Sequence, residues 1–317
     1  MSQSAVAFRA RKYLSQRFYG GLEQSLSGFP QSLMGKTGSM RRVQIFHIVL
    51  VLGIFLTSQV NAQIRYLAED TVIFSRFLQY SRQGDHSMIH TALFFIDTPY
   101  TSGSLEGDSE ERLRVNLHEL DCVTFVENVI ALHLMLQSDR HTFDNFCRIL
   151  QHIRYRNGII DGYLSRLHYF SEWLGNNVQK EIINLPAVPG CHNYTPGVSY
   201  MSTHCDAYPA LKTNPEWCRQ MSVIEKSVNE LNFCYIPKEQ VKDSETILKN
   251  GDIIAITTQT NGLDIAHTGL ALVQNGSVYL LHASSEAKKV VVSEETLHDY
   301  LARLRNHSGI IPGRLVD

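Results

Sequence analysis

Between Asp70 and Ile96 the apolar residues Val72, Phe74, Phe77 and Leu78 recur at helical spacing, and a second helical pattern runs from Met88 to Phe95. A loop rich in Pro, Gly, Ser and Glu follows, from Asp97 to Arg112. From Asp121 the residues Val123, Val126, Val129, Ile130, Leu132 and Leu134 supply a broad apolar surface, which predicts a largely buried helix. The segment Phe143 to Trp173 predicts helix, turn and helix, broken at Asn157-Gly158 and Asp161-Gly162. Pro186 to Pro215 reads as an irregular inserted loop.

The period then changes. Ile253 to Thr258, Ile265 to Gln274, Val278 to Ser284 and Lys289 to Val292 are short apolar or alternating runs separated by turn residues, which predicts an antiparallel sheet. Helices first and strands last give an α+β fold class and not an alternating α/β one.

Composition narrows this picture. With 44% hydrophobic residues, 19% charged and a net charge of -2, the chain is of ordinary globular type, and no nucleic-acid or other polyanion partner is expected. The apolar run Val43 to Leu56 follows Arg41-Arg42 and ends in Thr57-Ser58-Gln59-Val60-Asn61-Ala62, small residues suited to cleavage after Ala62. It is shorter than the roughly 20 residues that a hydrocarbon core requires. Residues 40–62 are therefore expected to be a signal peptide, with no permanent membrane anchor, and residues 1–39 a disordered or non-native extension ahead of Met40. Residues 63–317 are expected to form a single exported domain, periplasmic or secreted, with the loop 186–215 inserted.

Cys122 stands at the predicted start of the buried helix, directly after Asp121, where the helix dipole is expected to lower the thiol pKa. A buried apolar cysteine is the plain alternative. A thiolate needs a base, and the candidates are His267 and His282 on the C-terminal strands. Asn275-Gly276 is a strong signal for a two-residue hairpin turn. Such a turn pairs Gln274 with Ser277, sets His282 opposite Gly269, and makes His267 the diagonal neighbour of His282 on the same face. Diagonal Cα atoms are about 7 to 8 Å apart, within reach for two imidazoles to hydrogen bond as base and orienter.

Thr98-Pro99-Tyr100-Thr101-Ser102-Gly103, then Asp121-Cys122, then His267-Thr268-Gly269-Leu270 and His282-Ala283 resemble, in order and content, the NlpC-type papain-like cysteine hydrolases. Leu105-Glu106 before the cysteine and Thr124-Phe125-Val126-Glu127 after it are most similar to the N-acetylmuramoyl-L-alanine amidase-like branch. The resemblance covers about Tyr66 to Arg314. It implies a papain-like NlpC-type fold, with Cys122 as nucleophile, His267 as base and then acid, and His282 as the group orienting His267. It further implies Tyr100 near the reacting thiol, assisting the oxyanion, although a Pro-Tyr turn packing the loop fits as well. Asp121 suits a helix cap, or a contact with substrate.

The implied reaction is hydrolysis of the amide between N-acetylmuramic acid and L-alanine in peptidoglycan fragments. Cleavage within the stem peptide at γ-D-glutamyl-diamino acid, acyl transfer to an amine, and a catalytically silent muropeptide-binding protein remain open. Arg154-Tyr155-Arg156 and Ser165 to Phe170 concentrate cations and aromatics suited to an acidic sugar-peptide ligand, with Arg156, Arg166, His168 and Tyr169 as candidate contacts. Thr203 and His204, in Met201-Ser202-Thr203-His204, are further candidates from the resemblance. No nucleotide motif appears and no cofactor is expected. Cys191, Cys205, Cys218 and Cys234 lie with His192 and His204 in spacings that fit no familiar zinc pattern, so disulfides are favoured over a metal, with the pairing among these four and Cys147 open. Oligomeric state is not legible.

Overall fold

The computed structural model describes residues 64–107 and 110–316; the extension 1–39 and the signal segment 40–62 lie outside them. A two-residue strand β1 (Ile64–Arg65) pairs in parallel with β2 (Leu113–Arg114). Helix α1 (Ala68–Ser81) turns Phe74 and Phe77 inward, whereas Val72 is 49% exposed, so its apolar stripe is narrower than the spacing suggests. Asp70 is fully buried in its first turn, where the carboxylate accepts Leu67 N and Leu117 N, each at 2.8 Å, and meets His118 Nδ1 at 2.9 Å. Helix α2 (Met88–Leu93) is capped by Ser87.

Helix α3 (Cys122–Gln137) is buried almost all round, as its apolar residues require, and it is fastened by polar contacts to its neighbours. Glu127 accepts from Arg154 Nε at 2.7 Å and from Trp173 Nε1 at 3.1 Å. These donors belong to α4 (Phe143–Arg154), capped by Thr142, and α5 (Phe170–Gln179). Each partner is satisfied, which is what allows a charge pair inside an apolar layer.

The sheet against which these helices pack is antiparallel at every contact. Its strands are β3 (Ile183–Asn184), β4 (His192–Tyr194), β5 (Phe233–Pro237), β6 (Ile253–Thr258), β7 (Ile265–Gln274), β8 (Ser277–Ser284), β9 (Lys289–Thr296) and β10 (His307–Leu315). Their order is β4-β5-β10-β6-β7-β8-β9, with β3 also on β10. The four expected strands are present, and β10 lies inside the sheet between β5 and β6 unannounced, because Gly309 and Pro312-Gly313 interrupt its apolar pattern. Pro312 is tolerated there because β5 pairs only with Gly309 and Ile310, and β3 only with Arg314 and Leu315, so no strand flanks it on that side.

One sheet face carries Leu270, Leu272, Leu281 and Ala283 into the helical layer. The other carries Ala271, Val278 and Leu280 into a second core. The stretch expected to be loop is more ordered than that. β4 and turns at Tyr200–Thr203 and Pro209–Lys212 lead into helix α6 (Pro215–Val228). The nested disulfides Cys191–Cys234 and Cys205–Cys218 close it over a small core that includes Tyr163, Tyr169, Val198 and Met201. Bonded in pairs, these sulfurs are no longer zinc ligands. Helix α7 (Leu297–Arg303) covers the second core through Leu297 and Leu301. Among the described residues no helix is long and apolar enough to cross a membrane.

Candidate active site

Asp121 is extended (φ −96°, ψ −179°), and its Oδ1 accepts from Thr124 N at 2.8 Å while Asp121 N donates to Thr124 Oγ1 at 2.9 Å. This reciprocal cap fixes where α3 begins and sets Cys122 in its first turn. The preceding loop is tied down on both sides. Leu120 N donates to Pro99 O, Thr101 N to Leu120 O, and Tyr100 N to Lys288 O, so Tyr100 is stitched between the cysteine segment and β9. Burial, then the nearness of Cys122 and Asp121, raises its hydroxyl above the ordinary tyrosine value.

On the other wall, Asn275 (φ 53°) and Gly276 (φ 82°) form a turn with two left-handed residues, and Gln274 pairs with Ser277 and Leu270 with Leu281. The same register sets Gly269 against His282. A Cβ on residue 269 would lie 2.9 Å from His282 Cβ and 2.8 Å from Leu281 O, so glycine is required for the close approach. His267 Nε2 then meets His282 Nδ1 at 2.6 Å, the rings nearly perpendicular at 84°. That bond occupies Nε2 of His267 and leaves its Nδ1 to face a reactant. The backbone N–H of Thr268, the residue after His267, acts on the Cys122 thiol and favours its ionised form. The helix start that carries the thiol thus faces the strand that carries the imidazole.

The electrostatics differ from the expectation at one point. Burial, followed by the neighbouring Asp121 carboxylate, pushes the Cys122 thiol up to about 12, although N–H groups of Thr268, Val123 and Cys122 pull the other way. The helix terminus favours a thiolate, but loss of water around the sulfur outweighs it. Burial also pushes His267 down to about 3, helped by His282 and His307, and His282 down to about 4. The resting pair is a neutral thiol beside a neutral imidazole.

The N-acetylmuramoyl-L-alanine amidase-like family model matches residues 90–310, a span that includes Tyr100, Cys122 and both histidines. The chain belongs to this family. A solved N-acetylmuramoyl-L-alanine amidase from Bacteroides uniformis ATCC 8492 is 39% identical, covers 74% of this chain and 100% of its own, and superposes with a TM-score of 0.70. A Bacteroides fragilis protein named as a candidate xylanase is 43% identical over 71% of this chain and 99% of its own, with a TM-score of 0.68. A Legionella pneumophila str. Philadelphia 1 protein, described by a domain-of-unknown-function family, shares the fold at 22% identity and a TM-score of 0.59, covering 78% of this chain and 95% of its own. No curated protein matches.

Within this family member the remaining candidates fall into two groups. Arg166 is 5% exposed, bonded to Glu106 at 2.7 Å and to the carbonyl of Leu105, with Glu111 at 3.4 Å. Arg156 is paired with Glu172 at 2.5 Å, His168 bonds the Tyr163 carbonyl, and the buried Tyr169 donates to Glu225 and accepts from Met201 N. These four candidate side chains are each engaged within the fold, Arg166 and Tyr169 buried by it. Thr203 and His204 are exposed on the disulfide-closed segment, bonded to the carbonyls of Ser199 and Tyr200, and line a separate open cavity beside Cys205 and Cys218. Two residues near the histidines were not anticipated, Tyr300 and His307. The spacing of Leu297, Tyr300 and Leu301 was the available signal for the first. Among the described residues no group of His, Cys, Asp or Glu is arranged to hold a metal ion.

Proposed function

We propose that the chain is an exported cysteine amidase of papain-like NlpC layout that cleaves the amide joining N-acetylmuramic acid to L-alanine in peptidoglycan fragments. The observation that carries this reading is the His267 imidazole, held through Nε2 by His282 at 2.6 Å, with the N–H of the next residue, Thr268, acting on the Cys122 thiol. A glycosidase of the kind suggested by the Bacteroides fragilis neighbour's name needs two facing carboxylates. A thiol with an oriented imidazole suits acyl transfer instead.

The proposed sequence begins from the neutral pair. As Cys122 attacks the lactyl carbonyl, its proton passes to Nδ1 of His267, and the thiolate and imidazolium formed together stabilise each other against burial. The backbone N–H of Cys122 at the helix start, with the Tyr100 hydroxyl, stabilises the oxyanion. Protonated His267 donates to the leaving amine of L-alanine, and the acyl-enzyme is then released by water that His267 deprotonates. His282 accepts from Nε2 of His267 throughout, fixing the tautomer. The two disulfides and the apolar run after Arg41-Arg42 support export to an oxidising compartment.

Digestion of a defined muropeptide by wild type and Cys122→Ala, followed by mass spectrometry, tests the reading. Free muramyl sugar plus intact stem peptide from wild type, and neither from the variant, is expected. A sugar-dipeptide product would place the cut at γ-D-glutamyl-diamino acid, and turnover surviving in Cys122→Ala would remove the thiol from the chemistry.

A further inference from the structure

The histidine pair is contacted from outside the sheet by one aromatic side chain. The Tyr300 ring meets the His282 ring edge to face, with centroids 5.5 Å apart and planes at 79°. It also lies 6.5 Å from His267, and 6.5 Å from His307 with nearly parallel planes. Its position is over-determined. Leu297 and Leu301 anchor the same helix face in the second core, and Thr296 caps the helix by accepting from Asp299 N. The Arg303 guanidinium stands 5.5 Å above the Tyr300 ring and is itself held by Glu295 at 2.9 Å and Glu286 at 3.2 Å. Among the described residues the groups that shift these histidines include no carboxylate: His267 is shifted by burial, then His282 and His307, and His282 by burial.

A histidine that orients another histidine must itself be oriented. In a site with a terminal carboxylate, hydrogen bonding does this. Here the contact that fixes the tilt of His282 is aromatic. We propose that Tyr300 is a positioning residue, whose ring sets the plane of His282 and through it the aim of His267 at Cys122; this rests on the Cys122–His267–His282 reading of the site. A hydroxyl is not required for that task, but a planar ring is.

The test uses the full chain with Tyr300→Phe, Tyr300→Leu and Cys122→Ala. Two readouts are taken: muropeptide kcat and KM, and the pH dependence of Cys122 alkylation by iodoacetamide. Alkylation is specific, because four of the six cysteines are in disulfides and Cys147 is fully buried. The charged and titratable groups around the ring, which both variants leave in place, are Cys122, His267 and His282, with Arg303 and its Glu286 and Glu295, and His307 with Lys238 behind it. Tyr300→Leu is expected to lower kcat about tenfold or more at little-changed KM and to displace the alkylation profile, since an ångström-scale misplacement of a base is enough for such a loss. Tyr300→Phe should remain within about twofold of wild type in both readouts. Wild-type behaviour of Tyr300→Leu overturns the proposal, and so does Tyr300→Phe behaving like Tyr300→Leu. If Tyr300→Leu does not fold, Tyr300→Met fills the space without a plane and carries the same outcomes. Failure of the catalytic reading is separate: it shows as equal turnover in wild type and Cys122→Ala, while alkylation still reports whether Tyr300 tunes the thiol.

Discussion

At residue scale the site turns on opposing influences at one sulfur. Being in the first turn of α3 favours the Cys122 thiolate, and three backbone N–H groups add to that, yet burial and then the Asp121 carboxylate hold the thiol protonated up to about 12. Asp121 therefore has two separable effects, a cap that needs an acceptor oxygen and a charge that opposes ionisation. Asn is as good an N-cap as Asp. Asp121→Asn should keep the helix start while moving the midpoint of Cys122 alkylation to lower pH. Asp121→Ala should make the same electrostatic shift and also cost about 1 kcal/mol of stability through the lost cap. Alkylation midpoints and urea unfolding of both variants check this, and an unmoved midpoint in Asp121→Asn would show that burial alone sets the thiol.

At the scale of elements, α3 can present Cys122 only if its own position is fixed, and Glu127 does much of that by joining it to α4 and α5 through Arg154 and Trp173. With both charges 2% exposed, removing the carboxylate leaves a guanidinium buried without its partner. Glu127→Ala is expected to lose about 3 to 5 kcal/mol, and the double variant Glu127→Ala with Arg154→Met to recover part of that, because the stranded charge is gone. Denaturant midpoints of the two settle it; no recovery in the double variant would mean that lost packing, not the charge, is the cost. The helices of this layer and strands β6 to β9 were legible in the sequence, because each buries a face with a clear period, and Asn275-Gly276 fixed the register that brings His267 to His282. β10 was not, since Gly309 and Pro312 break its pattern for reasons visible only once its neighbours are known. The seven-residue α7 offers only one turn of apolar spacing, Leu297, Tyr300 and Leu301, and Tyr300 was missed with it. The ion-pair partners of Arg156 and Arg166 were hidden for a related reason: Glu172, Glu106 and Glu111 come from other segments. The thiol's behaviour escaped sequence reading too, because its surroundings are assembled from separate segments, with Thr268 of β7, Tyr300 of α7 and Tyr100 all close to it.

At the scale of the whole molecule, the same burial that shapes the site makes stability depend on pH. His267 and His282 are pushed to about 3 and about 4, and His133, His152, His168 and His307 are also lowered, in every case chiefly by burial. Below the unfolded histidine value of about 6.5 the unfolded chain takes up protons that the folded chain refuses, so stability is complete above that pH and falls as pH drops toward the folded values. Buried Glu111, Glu127, Glu172 and Asp264 are raised by burial and act in the opposite sense, binding protons in the folded state above the unfolded carboxylate range. A net acid profile therefore mixes two signs, and the histidine part has to be isolated by difference. His282, 3% exposed, serves for this. The packing change in His282→Gln is the same at both pH values and cancels when the loss of stability between about pH 7.5 and pH 5 is compared with that of wild type. Wild type should lose about 2 kcal/mol more than the variant over this interval, the free energy of protonating one histidine in the unfolded chain alone. Urea unfolding at the two pH values measures it. Equal losses would mean that His282 takes its proton in the folded protein, and His267 would then face a cation at its Nε2 in place of an acceptor.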